Sequence, residues 1–316
     1  MGVTLTQLAY FLAVADVRSF TRAAESVGVA QPTLSRQLKA LETELGAELV
    51  DRGARDGPVL TPAGEALLPL ARRMLADADS ARTAVAEIVG LRSGRIRVGG
   101  TPSLCIGVLA DVLRVFHEQH PDIHLELSED GSQPLVRSLV RGELDVALVI
   151  VPPAGIDPAL HTTPVLRERL SVASPASERS PTARASMSVR ELGRRSLVVP
   201  RRGYDVREST LQAFADAGVE PRFAVEGGEM DAVLRMVEAG TGVAVVPDLV
   251  FAGRPRLRRT VLTPPIFRTV ALARRADLTP THAVRAFRAT LLSFLAVLSA
   301  GDGFAGDVQV LRPATD

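Results

Sequence analysis

The periodicity of the chain changes at Arg92-Ser93-Gly94, and no single architecture accommodates both sides of that boundary. Before it, apolar residues recur at steps of three and four, the spacing that gives a helix one buried face. After it, short Val-, Ile- and Leu-rich runs alternate with helical stretches, the pattern of strand and helix units built around a largely parallel sheet. The 316 residues suffice for two or three domains of ordinary size. The change of pattern therefore reads as a domain boundary.

Within the first sixty residues, Leu5, Leu8, Leu12 and Ala15 predict a helix with one apolar face. Ser19 is a candidate N-cap for a second helix over residues 20–27, which Gly28 closes. Pro32 suits the first turn of a third helix, because no backbone partner is lost there. That helix carries the stripe Leu34, Leu38, Leu41 and Leu45 and ends at Gly46. Two helices joined by a Gly-containing turn of about four residues predict a helix-turn-helix. Residues 48–52 and 57–61 flank a Gly/Pro turn and predict a small hairpin, which makes it winged. Thr61 and Pro62 then open a long helix to about Val89. Its Leu67, Ala71, Met74, Ala78, Ala81, Val85 and Ile88 form a heptad seam, read here as a dimerisation surface in preference to packing on its own domain.

Beyond Gly94, strands are expected over 95–99, 123–127 and 145–151, with helices over 104–119 and 134–141 between them. A second set has strands at 169–173, 197–200, 222–226 and 242–247 and helices at 206–217 and 230–239. A strand at 268–273 and a helix over 281–300 remain, and suit a chain that crosses back to complete the first lobe. The expected organisation is α+β and multidomain: a winged helix-turn-helix over 1–60, a linker helix over 61–92, and a two-lobed α/β domain over 93–300, resembling periplasmic binding proteins. The first lobe takes about 93–165 and 267–300, the second about 166–266, and 301–316 is a polar tail.

Composition closes off several chemistries. Lys39 is the sole lysine, which excludes a Walker-type phosphate loop and every Schiff-base lysine but that one. A single cysteine, Cys105, excludes an internal disulfide and a Cys-rich zinc site. It is read as a buried, inert thiol and not a redox sensor, since no resolving thiol accompanies it. His117, His120 and His124 have ligand-like spacings, but Pro121 breaks the helix between them, so they read as surface histidines; no metal site is expected. Asp145 has no acidic companion at a defined spacing and reads as a structural acceptor. No nucleophile and base stand in an enzyme-like constellation, so catalytic residues are expected to be none. The N-terminal stretch has no basic n-region and no apolar run reaches about 18 residues, which predicts a cytoplasmic protein with no membrane anchor.

The segments Ser19-Phe20-Thr21-Arg22-Ala23-Ala24, residues 31–38 (Gln-Pro-Thr-Leu-Ser-Arg-Gln-Leu), Leu41-Glu42, Leu45-Gly46, Leu49-Val50-Asp51-Arg52, Leu60-Thr61-Pro62-Ala63-Gly64, residues 142–148 (Gly-Glu-Leu-Asp-Val-Ala-Leu) and residues 240–244 (Gly-Thr-Gly-Val-Ala) stand in one order and spacing. Through them the chain resembles the LysR-type transcriptional regulators over about residues 4–300. The resemblance implies a winged helix-turn-helix on double-stranded DNA, a dimerising linker helix and a two-lobed receptor for a small inducer. Homodimeric or homotetrameric assembly, with RNA polymerase as a further partner, belongs to the same expectation. Two departures are visible: Val50 stands where the family often has Phe, and the wing from Arg52 to Leu60 is one residue longer than usual.

Net charge does not announce DNA binding, because residues 1–93 carry ten Lys/Arg against eleven Asp/Glu. Distribution has to supply it. On the third helix Arg36 and Lys39 leave the leucine stripe, while Glu42 and Glu44 lie toward its C-terminal end. Gln31, Thr33, Ser35 and Arg36 are the groups expected to reach base edges, with Arg36 suited to guanine and Gln31 to adenine, and Pro32 belongs with them to the expected DNA-binding set. Arg22 and Arg52 are expected at the phosphate backbone, and Lys39 and Arg55 complete the expected DNA-binding set. In the two-lobed domain, Thr101, Ser103 and Ser132 offer hydroxyls where strands give way to helix N-termini, and the second lobe adds Arg202, Tyr204 and Arg207. Such a pocket is expected to take a small anionic effector and no tightly held cofactor. A transport-type solute receptor would share the lobes but have no use for residues 1–60, and an enzyme would need the constellation that is missing.

Overall fold

The computed structural model describes residues 2–53, 57–88, 94–152, 154–178, 186–300 and 306–311. Two compact units emerge, residues 1–91 with 140–143, and residues 92–139 with 144–316.

The first unit contains α1 (Leu5–Val17), α2 (Phe20–Ser26), α3 (Gln31–Leu45), the two-residue strands β1 (Val50–Asp51) and β2 (Val59–Leu60), and α4 (Pro62–Ile88). Thr4 and Gln7 cap α1 reciprocally: Gln7 N–H donates to Thr4 Oγ1 at 3.3 Å and Thr4 N–H to Gln7 Oε1 at 3.0 Å. Leu8, Phe11 and Val14 of α1 pack with Ala23, Ala24, Leu34, Leu38, Leu41, Leu49, Val50 and Ala71 in one core. The buried face of α1 thus differs from the expected stripe, and Leu5 is 41% exposed. Its sequence is apolar nearly all round, so spacing does not fix the phase, and burying Phe11 removes more apolar area from water than Leu5 would. Antiparallel β1 and β2 pair Val50 with Leu60 and build the wing. The first turn of α4 crosses the base of this hairpin, where a Cβ on Gly64 would meet the Leu49 carbonyl oxygen at 2.1 Å.

The second unit begins with β3 (Gly94–Gly100). A continuous helical run follows, comprising α5 (Pro102–Leu104), one π-turn (Cys105–Leu109) and α6 (Ala110–Gln119). Next come β4 (Ile123–Glu129), α7 (Ser132–Val140), β5 (Val146–Val151), β6 (Leu160–Pro175), β7 (Ser186–Ser188), α8 (Val189–Leu192), β8 (Ser196–Val199) and α9 (Asp205–Asp216). The chain continues through β9 (Arg222–Glu226), α10 (Met230–Glu238), β10 (Ala244–Pro247), a 3-10 turn (Asp248–Phe251), β11 (Leu257–Arg275), α11 (His282–Ala300) and β12 (Val308–Val310).

Strands β4, β3 and β5 are parallel, as the alternating pattern predicts. The sheet as a whole is mixed, in the order β10-β6-β11-β5-β3-β4. The difference arises because β6 and β11 are far longer than the short strands expected at 169–173 and 268–273, and pair antiparallel along their length. Each runs through both lobes. On β6, Leu166 belongs to a core with Ile96, Val98, Phe116, Leu148, Val270, Phe287 and Leu291, while Leu170 belongs to a second core with Leu197, Phe214, Val233, Val246 and Leu262. Among the described residues these two strands carry the sheet from one lobe to the other, and the register of β11 shifts between Val261 and Ile266. Helix α11 is long and apolar enough to cross a membrane, but Phe287, Leu291 and Leu295 are fully buried in the first core.

The expected polar tail contains β12, which pairs with residues 166–168 of β6. Asp307 fixes its start: its N–H donates to Asp248 Oδ2 at 2.7 Å, and its carboxylate meets Arg169 Nη2 at 2.7 Å. Asp248 is fully buried and is held by both Nε and Nη2 of Arg259.

Candidate functional site

On the first unit, the leucine stripe buries one side of α3 and leaves Gln31, Pro32, Thr33, Arg36 and Lys39 exposed on the other. Ala30 at the N-cap offers no side-chain hydrogen bond, so the N-terminal end of α3 keeps its positive dipole end uncapped. Gln31 Nε2 donates to Ser35 Oγ at 3.1 Å, and Arg36 Nε lies 3.4 Å from the Pro32 carbonyl, which aligns these side chains along the helix. Arg22 is exposed and donates to the Val17 carbonyl at 3.0 Å. Arg52 stands over the Phe20 ring at 5.4 Å and donates to Glu42 at 3.0 Å. Lys39 lies 3.9 Å from Glu48. Arg55 falls outside the described residues. Sequence reasoning placed Glu42 only as an acid near the end of α3. It is buried, and its Oε1 accepts the N–H groups of Leu49 and Val50 at 3.1 and 3.4 Å. It ties the wing to the helix.

In the second unit, Thr101, Pro102, Ser103, Tyr204, Asp205, Val206, Met230 and Arg268 line a narrow, nearly closed cleft. The first three come from the lobe of β3, and Tyr204, Asp205, Val206 and Met230 from the other. The lobes approach so closely that a Cβ on Gly131 would meet the Gly203 carbonyl oxygen at 2.5 Å. Thr101 is 4% exposed and its Oγ1 has no hydrogen-bond partner among the described residues. Ser103 Oγ accepts from Arg268 Nη2 at 2.9 Å. Arg268 is also bound to the fully buried Glu168, at 2.9 Å from Nε and 2.7 Å from Nη2. The other oxygen of Glu168 accepts the Leu249 N–H at 3.2 Å.

Ser132 does not offer the open hydroxyl expected of it. It donates to Asp205 Oδ2 at 2.7 Å and accepts the Ile150 N–H at 3.0 Å. The expected cations also lie elsewhere. Arg202 is exposed, and Arg207 is buried against the Pro200 carbonyl and Glu226, at 2.9 and 2.5 Å. Arg201 instead bridges the lobes: its guanidinium meets Asp130 at 2.8 Å and Glu229 at 2.8 Å and lies 4.4 Å from the Tyr204 ring. The Asp130 carboxylate raises the Arg201 pKa further above its usual range. Burial, and next the bond to Glu229, push Tyr204 up.

Cys105 is buried at the start of the π-turn, and burial with the neighbouring Glu129 carboxylate pushes its thiol up to about 12. Asp145 accepts from the Arg97 backbone and guanidinium, both at 2.7 Å, as a structural acceptor. The His120 ring packs at a tilt against Phe116, 4.9 Å between centroids. Among the described residues, no three His, Cys, Asp or Glu side chains are gathered as metal ligands.

Comparison with known proteins decides the family. The description "Bacterial regulatory helix-turn-helix protein, lysR family" matches residues 5–65, and "LysR substrate binding domain" matches residues 90–296. This chain belongs to the LysR family of transcriptional regulators. The regulator is similar to the HTH-type transcriptional regulator BenM of Acinetobacter baylyi, at 32% identity over 77% of this chain and 80% of that protein. It is also similar to a probable hydrogen peroxide-inducible genes activator of Mycobacterium avium, at 34% identity over 80% of this chain and 82% of that one. Among solved structures, a full-length OxyR variant from Pseudomonas aeruginosa superposes with a TM-score of 0.71 at 28% identity, covering 92% of this chain and 98% of that one. Full-length CbnR complexed with its target DNA does so at 0.67 and 26% identity, over 92% and 100% of the two chains. As a LysR-type regulator, the protein is a DNA-binding transcription factor with an effector-binding domain. It is not an enzyme.

Proposed function

We propose that this regulator reads its operator with the N-terminal half of α3 and adjusts its DNA binding to a small carboxylate held between the lobes. The carrying observation is Thr101: a buried hydroxyl with no hydrogen-bond partner among the described residues, facing a two-lobe cleft, is a donor that a ligand oxygen would satisfy favourably. Ser103, whose own proton is not committed by accepting from Arg268, adds a second donor beside it. On the DNA side, Gln31, Thr33, Ser35 and Arg36 would meet base edges, with Pro32 closing the turn onto the helix. Arg22, Lys39, Arg52 and Arg55 would meet phosphates. The protein would act in the cytoplasm as a homodimer or homotetramer and contact RNA polymerase at the promoter. The peroxide response named for the mycobacterial relative is not carried over, since the sole thiol is buried and protonated.

The test is a DNA-binding titration on operator and random duplexes with and without carboxylate effectors. Arg36→Ala is expected to cost about 1 to 3 kcal/mol on the operator and to relax preference at one position per half-site. Thr101→Val is expected to leave effector-free binding close to wild type and to remove the response. Equal weakening on operator and random DNA would reduce Arg36 to a phosphate contact, and a response surviving Thr101→Val would displace the effector from the cleft.

A further inference from the structure

The cleft holds a charge that its carboxylate-binding end does not need. Its one formal cation, Arg268, is already matched by the fully buried Glu168, so that pair contributes no net charge. Across the cavity stands Asp205. Its Oδ2 is occupied by Ser132, and its Oδ1 has no hydrogen-bond partner among the described residues. Nearby, Asp130 and Glu229 share the single cation Arg201. A plain carboxylate entering this space would bring a second negative charge into a narrow cleft facing Asp205, with no uncompensated cation among its described lining residues to balance either. That arrangement is costly. A ligand carrying its own positive charge at the Asp205 end turns the repulsion into a charge-assisted hydrogen bond.

We infer that the effector is a small zwitterion of the amino acid class, its carboxylate seated on Thr101, Ser103 and Arg268 and its ammonium group on Asp205. This rests on the reading of the cleft as the effector site and adds the second charge to it. The ammonium group donates to the free Oδ1 of Asp205 while the Ser132 hydroxyl keeps Oδ2, so each carboxylate oxygen has a donor. Pro102, Val206 and Met230 supply the apolar wall between the two ends and fit a short aliphatic side chain. The cleft as it stands is too narrow for such a ligand, so binding parts the lobes slightly and strains the contacts that cross between them, Ser132 with Asp205 and Arg201 with Asp130.

The experiment uses the full-length protein and matched probes: free L-amino acids, their 2-hydroxy acid analogues and their decarboxylated amines, screened by thermal shift and then by calorimetry. At least one amino acid with a short aliphatic side chain is expected to raise Tm, and its hydroxy acid and amine are not. Asp205→Asn, nearly isosteric, is expected to weaken that amino acid by about 10- to 100-fold, the size of one lost charge-assisted bond. Asp205→Glu, which keeps the charge, is expected to retain the preference for the amino acid over the hydroxy acid and serves where the Asn variant folds poorly. A hydroxy acid binding as well as its amino acid overturns the inference but leaves the carboxylate reading standing, and so does an amino acid whose affinity is indifferent to Asp205→Asn. A screen in which no amino acid binds also overturns it. Loss of the response in Thr101→Val reports on the carboxylate end alone, so the two readings fail separately.

Discussion

At the scale of single residues, the groups that proved hardest to read are those whose partners are remote in sequence. Arg268 sits in an ordinary apolar strand, and the carboxylate that fixes it, Glu168, is 100 positions away, so nothing local marks it as a cleft residue. Thr101 and Ser103 were legible because a hydroxyl at a strand-to-helix turn carries its meaning in its neighbours. Ser132 was half legible: its place at the head of α7 was evident, but not that Asp205 takes its proton. Glu42 shows the same limit in the DNA-reading unit. Removing its carboxylate in Glu42→Ala leaves the Leu49 and Val50 N–H groups without their acceptor in a buried place, at a cost of about 2 to 4 kcal/mol. Urea denaturation is expected to show this loss, and a shift of only a few tenths of a kcal/mol would mean that water replaces the carboxylate. Cys105 gives a signed pH prediction. Its folded-state pKa is raised from 9.0 to about 12, so between those values the unfolded chain releases a proton that the folded chain keeps, and stability falls as pH rises through that window. Below pH 9 the thiol is protonated in both states and contributes no slope. Native protein at pH 8 should therefore resist iodoacetamide while unfolded protein reacts at the rate of an ordinary thiol, and rapid native alkylation would contradict the burial.

Elements were easier to find than to phase. Helices α3, α9 and α10 stand within a residue or two of their expected bounds because caps and glycines punctuate them, as Gly46 does for α3 in a left-handed conformation at φ 68°. Helix α1 was found but its buried face was not, since a nearly all-apolar helix carries little phase information. Strands β6 and β11 were seen only as their most apolar stretches, because their polar ends gain their structure by pairing with each other across about a hundred residues. The strand β12 was hidden for a similar reason: three residues, Val-Gln-Val, in a Gly-containing stretch become a strand only when an edge of β6 is there to receive them. What fixes it is Asp307. Asp307→Ala removes the partly buried pair with Arg169, worth up to about 1 kcal/mol, and lowers Tm by about 2 to 4 °C. Since the Asp307 N–H still reaches Asp248, the strand should remain in place, and deletion from Gly306 onward should cost more than the substitution. Equal Tm values for the two variants would show that pairing along β6 contributes nothing beyond the ion pair.

For the whole molecule the question is assembly, and α4 poses it. The heptad seam expected from Leu67 to Ile88 divides between two tasks. Ala71 is fully buried and Leu67 packs with it against the helix-turn-helix core, so this end of the seam belongs to its own domain. Farther along, Met74 is 42% and Val85 64% exposed, Ala81 is exposed with them, and Leu70, one step outside the seam, is 54% exposed. Leu70, Met74, Ala81 and Val85 follow one another at steps of four, seven and four, which keeps them on one side of the helix. Leaving such a stripe in water along about four turns is unfavourable at about 25 cal/mol per Å² of apolar surface, and pairing with the same helix of a second copy covers it on both at once. Pairing of this stripe across a two-fold axis is the proposed dimer contact. A charge in the middle of the stripe would then be placed against its own copy across a two-fold axis, so Met74→Glu is expected to shift the regulator toward monomer at micromolar concentration in analytical ultracentrifugation. The DNA consequence is larger than any single contact suggests. Two half-sites bound by one dimer gain an effective concentration that independent monomers lack, so affinity for an operator with half-sites about one helical turn apart should fall by about 100-fold or more, while affinity for an isolated half-site changes little. A Met74→Glu protein that remains dimeric and binds the full operator as tightly as wild type would place the dimer contact on some other surface.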